Sequence, residues 1–115
     1  MKFASVRLIA DDIQAVVAFY ELVTGRTADW LAPQFAEIVM GSVALAIGSA
    51  GTGALFQVAD VDAEFARLKD SAEIVHAPKM MPWGNRSAQF RDPEGTSVSL
   101  FMPVSEAAKA RFASR

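Results

Sequence analysis

The sequence predicts an α+β fold in which a single domain of 115 residues contains two βαβββ modules. Three observations support this prediction. Several short segments alternate apolar and polar residues, which is typical of half-buried strands. Two other segments carry apolar residues at helical spacing, and each follows an aspartate that can cap a helix. These elements occur twice in the same order, which indicates one supersecondary unit used twice.

The repeat appears when the second half of the chain is placed over the first with an offset of 48 residues. Residues 5–20 then align with residues 53–68, and Asp12 falls on Asp60. A later match pairs SVAL with SVSL, each shortly after a glycine. The first module is predicted at about 1–48 and the second at about 53–102, with a short flexible joint (SAGTG, 49–53) between them. A terminal helix is predicted at about 104–113.

Each module is predicted to begin with a strand and a capped helix. In the first module, residues 3–10 alternate as a strand, and Asp12 caps a helix that ends at Gly25. In the second, a strand at 53–59 precedes a helix at 61–70. The core-facing helix residues are predicted to be Ile13, Val16, Val17, Tyr20 and Val23, then Val61, Phe65 and Leu68. The remaining strands are predicted at 28–32, 35–40, 42–48, 72–77, 86–92 and 96–102.

A third, short helix is predicted after Pro103. Ser105 can cap it, while an acidic residue early and basic residues late suit the helix dipole. We expect this helix to pack against the domain or to lie at the edge of a dimer.

The composition excludes several classes of function. The net charge of −2 provides no basic face for nucleic acid. The chain has no cysteine, which excludes disulfides and thiolate metal sites and suits a reducing cytoplasm. No apolar segment is long enough to cross a membrane or to act as a signal peptide. We therefore expect a small soluble, cytoplasmic protein.

Three motifs resemble the vicinal oxygen chelate superfamily, which includes glyoxalase I, extradiol dioxygenases, fosfomycin-resistance enzymes and bleomycin-resistance proteins. The motifs are DDIQAVVAFYELVTG, VADVDAEFARL and PWGNRSAQFRDPEGTSVSLF. The resemblance extends from the start of the chain to about Pro103. It implies that the modules form a curved mixed sheet around a cleft, and that the protein is a homodimer. It does not specify a reaction, because this fold carries many chemistries.

The resemblance also implies where a metal would bind. In superfamily members that use a metal, His or Glu ligands lie on the first and last strand of each module. The corresponding positions here are Ser5, Ala44, Gly53 and Ser99. A divalent cation in a nitrogen and oxygen site needs several imidazoles or carboxylates, and none of these residues supplies one. The single histidine, His76, lies on a different predicted strand. We therefore expect no metal at this place and no other cofactor.

Strand alternation then assigns side chains to the cleft face. Ser5 occupies a position that faces the cleft in the superfamily, so Arg7 shares that face. A sealed core would not tolerate many polar groups, whereas a small-molecule site needs a few among apolar neighbours. The alternative is an Arg7–Glu37 ion pair with bound water filling the space. The predicted cleft residues are Ser5, Arg7, Glu37, Gln57, Gln89, Ser99 and Phe101.

Four further residues are candidates for the rim of the cleft. Trp30, Phe35 and Trp83 lie near strand ends, where an aromatic ring can stack on a planar ligand. For Trp83 we favour a structural role, in which the PWG turn covers the sheet edge or a dimer contact. His76 is also a rim candidate, although a lone histidine is more often structural.

Two functions remain open from the sequence. The first is a metal-independent protein that resembles the bleomycin-resistance branch and binds an amphipathic or aromatic compound without turnover. The second is an enzyme of the glyoxalase or dioxygenase kind, acting as a lyase, isomerase or oxidoreductase. It would require an atypical metal site or metal-free acid–base chemistry from Glu37 and His76. The missing metal ligands favour the first.

Overall fold

The computed structural model describes residues 1–49, 53–113 and 115, and it shows an α+β fold in which one mixed sheet is accompanied by helices. The predicted fold class is confirmed. Residues 50–52 of the predicted flexible joint lie outside the described residues. The elements are β1 (Lys2–Ile9), α1 (Ile13–Thr24), β2 (Asp29–Ala32), β3 (Phe35–Met40), β4 (Val43–Gly48), β5 (Ala54–Gln57), α2 (Val61–Leu68), β6 (Glu73–Met80), β7 (Asn85–Arg91), β8 (Ser97–Pro103) and α3 (Glu106–Ala113).

The two modules meet edge to edge in a single eight-stranded sheet, with strand order β2-β3-β4-β1-β5-β8-β7-β6. Within each module the first strand pairs in parallel with the last, β1 with β4 and β5 with β8. The modules are joined by the antiparallel pairing of β1 with β5. Both modules of the sheet therefore come from one chain.

The strand pairing shows that the strands of the two modules correspond with an offset different from the predicted 48 residues. Ser5 pairs with Leu55 across the junction, and Leu55 pairs with Ser99. Leu55, rather than the predicted Gly53, therefore occupies the place equivalent to Ser5. The helix caps keep the offset of 48, because Asp12 and Asp60 both cap, but the second module uses two residues fewer between strand and helix.

Both predicted helix starts are present. The Asp12 carboxylate accepts a hydrogen bond from the backbone N–H of Ala15 at 3.1 Å, and Asp60 accepts one from Ala63 at the same distance. The prediction that Val23 faces the core is wrong, since this residue is 62% exposed. It lies about 80° around the helix axis from Ile13, at the margin of the apolar stripe.

One predicted strand is longer in the structure. The strand before the PWG turn was predicted at 72–77, but β6 continues through Pro78 to Met80. The reason is topological: β6 is an edge strand, and a proline is tolerated there because one side of the strand has no ladder to complete.

The helices α1 and α2 pack on one face of the sheet and form two apolar clusters. Ile13 and Val17 of α1 pack against Ile38 of β3. Val61 of α2 packs against the second module, where Leu100 is also buried. Burying side chains of this size in two clusters supplies the main driving force for folding. The opposite face of the sheet is left to form a cleft.

The helix α3 docks against the turn that follows β6. The Gly84 carbonyl oxygen accepts hydrogen bonds from the backbone N–H groups of Val104, at 2.9 Å, and Ser105, at 3.0 Å. The Ser105 hydroxyl then caps α3 by accepting from the N–H of Ala108. A methyl group added to Gly84 would lie 2.0 Å from the Ser105 hydroxyl oxygen. The turn and the helix start therefore fit only with glycine at this position.

No helix in the described ranges is long and apolar enough to cross a membrane.

We predict that Gly84→Ala destabilises the protein more than Gly95→Ala. Both glycines have positive φ, 93° and 85°, so both substitutions introduce similar backbone strain of about 1–2 kcal/mol. Only Gly84→Ala also forces α3 away, which should add about 1–3 kcal/mol. Urea unfolding measures the difference, and faster amide hydrogen exchange at Ala108 should report the loosened helix. Equal destabilisation by the two substitutions would contradict this account.

Candidate functional site

The cleft lies on the sheet face opposite α1 and α2. Because side chains alternate along a strand, every second residue of a strand faces this cleft. On β3, Ile38 packs toward α1, so Glu37 points into the cleft. On β8, Leu100 packs toward α2, so Ser99 and Phe101 point into the cleft. The face predicted from the sequence is therefore the face that lines the cavity at these positions.

The first of two adjoining chambers has a volume of about 250 Å³ and is partly closed by α3. Its wall is mostly apolar and aromatic, with several charged groups. The apolar lining is Leu31, Ala32, Phe35, Leu55, Trp83, Phe101 and Phe112, and the polar lining is Ser5, Arg7, Glu37, Asn85, Arg111 and Arg115.

The second chamber has a volume of about 310 Å³ and lies over the second module. It adds His76, Lys79, Met81, Ser87, Gln89 and Ser99 to the lining. The two chambers share Arg7, Leu55, Trp83, Asn85 and Phe101, so they form one cleft.

Most of the predicted cleft and rim residues come together in this cavity. Ser5, Glu37 and Phe35 line the first chamber, while His76, Gln89 and Ser99 line the second. Arg7, Phe101 and Trp83 line both. Gln57 and Trp30 are not in the lining of either chamber. Trp30 instead lies beside Gln14 in a shallow depression that adjoins the first chamber at Leu31 and Ala32.

The strand ladders show which residue of the second module corresponds to Glu37. The ladders run from Glu37 through Ala46 to Arg7, and from Ser87 through Phe101 to Gln57. Ser87 is therefore the counterpart of Glu37.

Asn85 and the residues of α3 are among the cleft residues that the sequence did not reveal. The predicted strand began at residue 86, but Asn85 is the first residue of β7 and pairs with Pro103. Its side chain shares a face with Ser87 and Gln89, so extending the alternation by one residue at the strand start would have found it. The residues of α3 could not be found this way, because helix periodicity does not say which surface a helix covers.

Asn85 is a buried polar residue whose side-chain oxygen lacks a hydrogen-bond donor among the described residues. Its side chain is 6% exposed, and its Oδ1 atom has no hydrogen-bond partner among the described residues. A buried acceptor without a donor is costly. A ligand group or water that donates a hydrogen bond in the cleft would satisfy it.

Glu37 forms a salt bridge with Arg115, whose Nη2 atom lies 2.5 Å from the Glu37 Oε1 atom. The two side chains are 8% and 7% exposed, so the pair is nearly dry. The Arg115 guanidinium also lies over the Phe112 ring, and the Lys2 ammonium donates to the Arg115 backbone oxygen at 2.6 Å. The salt bridge to Glu37 thus comes from Arg115, which α3 brings across the cleft, while Arg7 interacts electrostatically with the same carboxylate.

Arg7 lies at the centre of the cleft, with its guanidinium carbon 4.2 Å from the centroid of the Phe35 ring. Burial lowers the pKa of Arg7, and the nearby Glu37 carboxylate partly opposes this effect. Because a guanidinium is a very strong base, the side chain remains cationic at neutral pH.

The residues at the superfamily's metal positions do not fit a metal. Ser5, Ala44, Leu55 and Ser99 supply two neutral hydroxyls and two hydrocarbon side chains. Within the described ranges, no three His, Cys, Asp or Glu side chains converge. Hard and borderline divalent cations need charged oxygen or imidazole nitrogen ligands, and this position offers none.

Comparisons with known proteins agree with the fold. The family model for the Glyoxalase/Bleomycin resistance protein/Dioxygenase superfamily matches residues 54–100, most of the second module. A search of curated proteins found no sequence match.

Several solved structures are similar to this chain. A hypothetical protein from Bacillus halodurans matches with a TM-score of 0.73 at 12% identity, covering 92% of this chain and 96% of that one. A chain described as an NAD-dependent benzaldehyde dehydrogenase from Legionella pneumophila gives 0.70 at 20% identity, covering 86% and 97%. A methylmalonyl-CoA epimerase from Streptomyces coelicolor, in complex with 2-nitronate-propionyl-CoA, gives 0.65 at 18% identity, covering 90% and 94%.

The family model confirms the predicted resemblance to the vicinal oxygen chelate superfamily over the second module. At these identities the solved structures establish the fold alone.

We predict that Glu37 and Arg115 are energetically coupled. Arg115→Ala or Glu37→Gln alone leaves a charged group without its partner in a nearly dry site, which should cost about 1–3 kcal/mol. The double substitution should cost less than the two single costs added together, with a coupling of about 1–3 kcal/mol by urea unfolding.

The pair Glu64 and Arg67 is the matched control. It is also a short contact, 2.6 Å, but the Arg67 side chain is largely exposed. Its coupling should be no more than about 0.5 kcal/mol. Additive effects at Glu37 and Arg115 would show that their salt bridge does not persist in solution.

Proposed function

We propose that this protein is a metal-independent small-molecule-binding protein, similar in role to bleomycin-resistance proteins, that holds an amphipathic or aromatic compound in its cleft without turnover. The observation that carries this proposal is a two-chambered cleft with an aromatic and apolar wall and a buried acceptor, Asn85 Oδ1, that has no hydrogen-bond partner among the described residues.

The lining is suited to a ligand with an apolar body. Phe35, Phe101, Phe112 and Trp83 present rings to the first chamber. Small-molecule sites typically combine such walls with a few placed polar groups and have volumes of about 300–1,000 Å³. The two adjoining chambers together fall within that range.

The polar groups support binding better than acid–base catalysis. Glu37, the candidate base, is held by Arg115 in the first chamber, whereas His76 lines the second. A general base needs a free lone pair within reach of the substrate proton. The pairing of Glu37 therefore argues against the enzyme alternative.

We predict that the neutral fluorescent probe N-phenyl-1-naphthylamine binds the purified protein at one site per cleft. Binding should be unchanged by EDTA, and protein purified without chelator should contain well under one equivalent of zinc, iron, manganese or nickel. Ser99→Phe fills the second chamber and should weaken binding at least tenfold, a loss of about 1.4 kcal/mol.

Ser71→Phe is the control, because Ser71 is exposed and outside the cleft lining. It should leave the probe affinity unchanged. A stoichiometric metal whose removal lowers the melting temperature would contradict metal independence, because a ligand of the native state must stabilise it. Conversion of a substrate analogue by the metal-free protein would favour the enzyme alternative.

We further propose that the protein is a homodimer, as the resemblance implies. Apolar residues on the outer face of α1 support a contact surface, since Leu22 is 81% exposed and Phe19 is 56% exposed. Exposed apolar surface of this kind often marks a protein interface. A closed two-fold dimer is the commonest arrangement.

Light scattering at micromolar concentration should therefore give a mass of twice 12.4 kDa. Leu22→Lys should shift this mass toward that of the monomer. A monomeric wild-type protein would exclude the dimer and leave the cleft proposal intact, because both modules lining the cleft belong to one chain.

A further inference from the structure

The charges that line the cleft are unbalanced. Four cationic side chains, Arg7, Lys79, Arg111 and Arg115, face one carboxylate, Glu37, among the lining residues of the described chain. The formal charge of the lining is therefore +3, whereas the whole chain carries −2. A cleft lined by one sign of charge concentrates field lines and attracts ligands of the opposite sign.

The single carboxylate is already engaged. Arg115 holds Glu37 in a pair whose side chains are 7% and 8% exposed. A cationic ligand would have to displace Arg115 to reach this carboxylate. The remaining charges that a ligand meets in the cleft are positive.

Arg7 is placed to receive an anion. It lines both chambers, and its guanidinium is held against the Phe35 ring at 4.2 Å. A guanidinium presents parallel N–H donors that match the two oxygens of a carboxylate, and a ring contact fixes its plane. Arg111 lies on the α3 side of the same chamber, where its Nη2 atom is 3.3 Å from the Trp83 carbonyl oxygen.

We propose that the cleft binds an anionic amphipathic ligand, an organic carboxylate whose charged group lies at Arg7 and whose apolar body contacts Phe35, Leu55 and Phe101. This inference rests on the proposed small-molecule-binding function and narrows it to one chemical class. Asn85 Oδ1 adds a second requirement, because a hydroxyl on the ligand body would supply the donor that this buried oxygen lacks among the described residues.

The test compares ligands that share one body and differ in charge. Calorimetric titration with 2-naphthoate, neutral 2-naphthamide and cationic 2-naphthylmethylammonium should rank the anion at least tenfold tighter than the amide, and the cation weakest. A hydroxy-substituted isomer, 6-hydroxy-2-naphthoate, should bind more tightly than 2-naphthoate in the wild type. That gain should disappear in Asn85→Leu.

Substitutions of the cleft arginines then test where the charged group of the ligand binds. Arg7→Gln should weaken 2-naphthoate at least tenfold and change 2-naphthamide less than threefold. Arg67→Gln removes the same charge from an exposed helix position and should leave both affinities within twofold. Arg111→Gln, on α3, provides a second cleft variant if Arg7→Gln fails to fold. It should weaken the anion more than the amide.

The outcomes separate the two proposals. If 2-naphthamide or the cation binds as tightly as 2-naphthoate, or if Arg7→Gln and Arg111→Gln weaken anion and amide equally, the preference for anions is wrong and small-molecule binding stands. If none of these ligands binds and N-phenyl-1-naphthylamine does not bind either, the proposed function itself fails and this inference fails with it.

Discussion

The pairing of β1 with β5 is the contact on which the remainder of the structure depends. It joins two modules, each with its own helix and apolar cluster, into one continuous sheet. Because α1 and α2 both cover the same face of that sheet, the other face is left open. Ser5 and Leu55 are neighbours across the junction, so the floor of the cleft is built from the contact that holds the modules together.

The cleft is completed by α3, which comes from neither repeat. Its start is fixed by the Gly84 turn through two hydrogen bonds to one carbonyl oxygen and by a close approach that excludes a side chain. From there Phe112 packs against Phe101, with ring centroids 5.1 Å apart, and Arg115 reaches Glu37. Burying this ion pair is not itself strongly stabilising, because desolvation offsets much of the attraction. Its main effect is on the site, since it neutralises Glu37, the one carboxylate among the described residues of the lining.

Much of the fold and part of the site could be predicted from local patterns. Strand alternation placed Ser5, Arg7, Glu37, Ser99 and Phe101 on one face, and the structure brings these residues to the cleft. The same patterns failed where a contact is not local. The repeat read from the helices misplaced Gly53 by two residues, and Val23 was assigned to a stripe whose margin the sheet does not cover.

Local sequence patterns are enough to assign the element types, the helix caps and the polarity of each strand face. These depend on periods of 2 and 3.6 residues and on side chains that contact the backbone within one turn. The salt bridge between Arg115 and Glu37 depends on the folded chain, because the two residues are 78 positions apart in the sequence. The tertiary structure also decided that Asn85 lies buried and that Lys79 and Arg111 share a cleft with Arg7. Such juxtapositions follow from how the chain closes in three dimensions, and no periodicity encodes them.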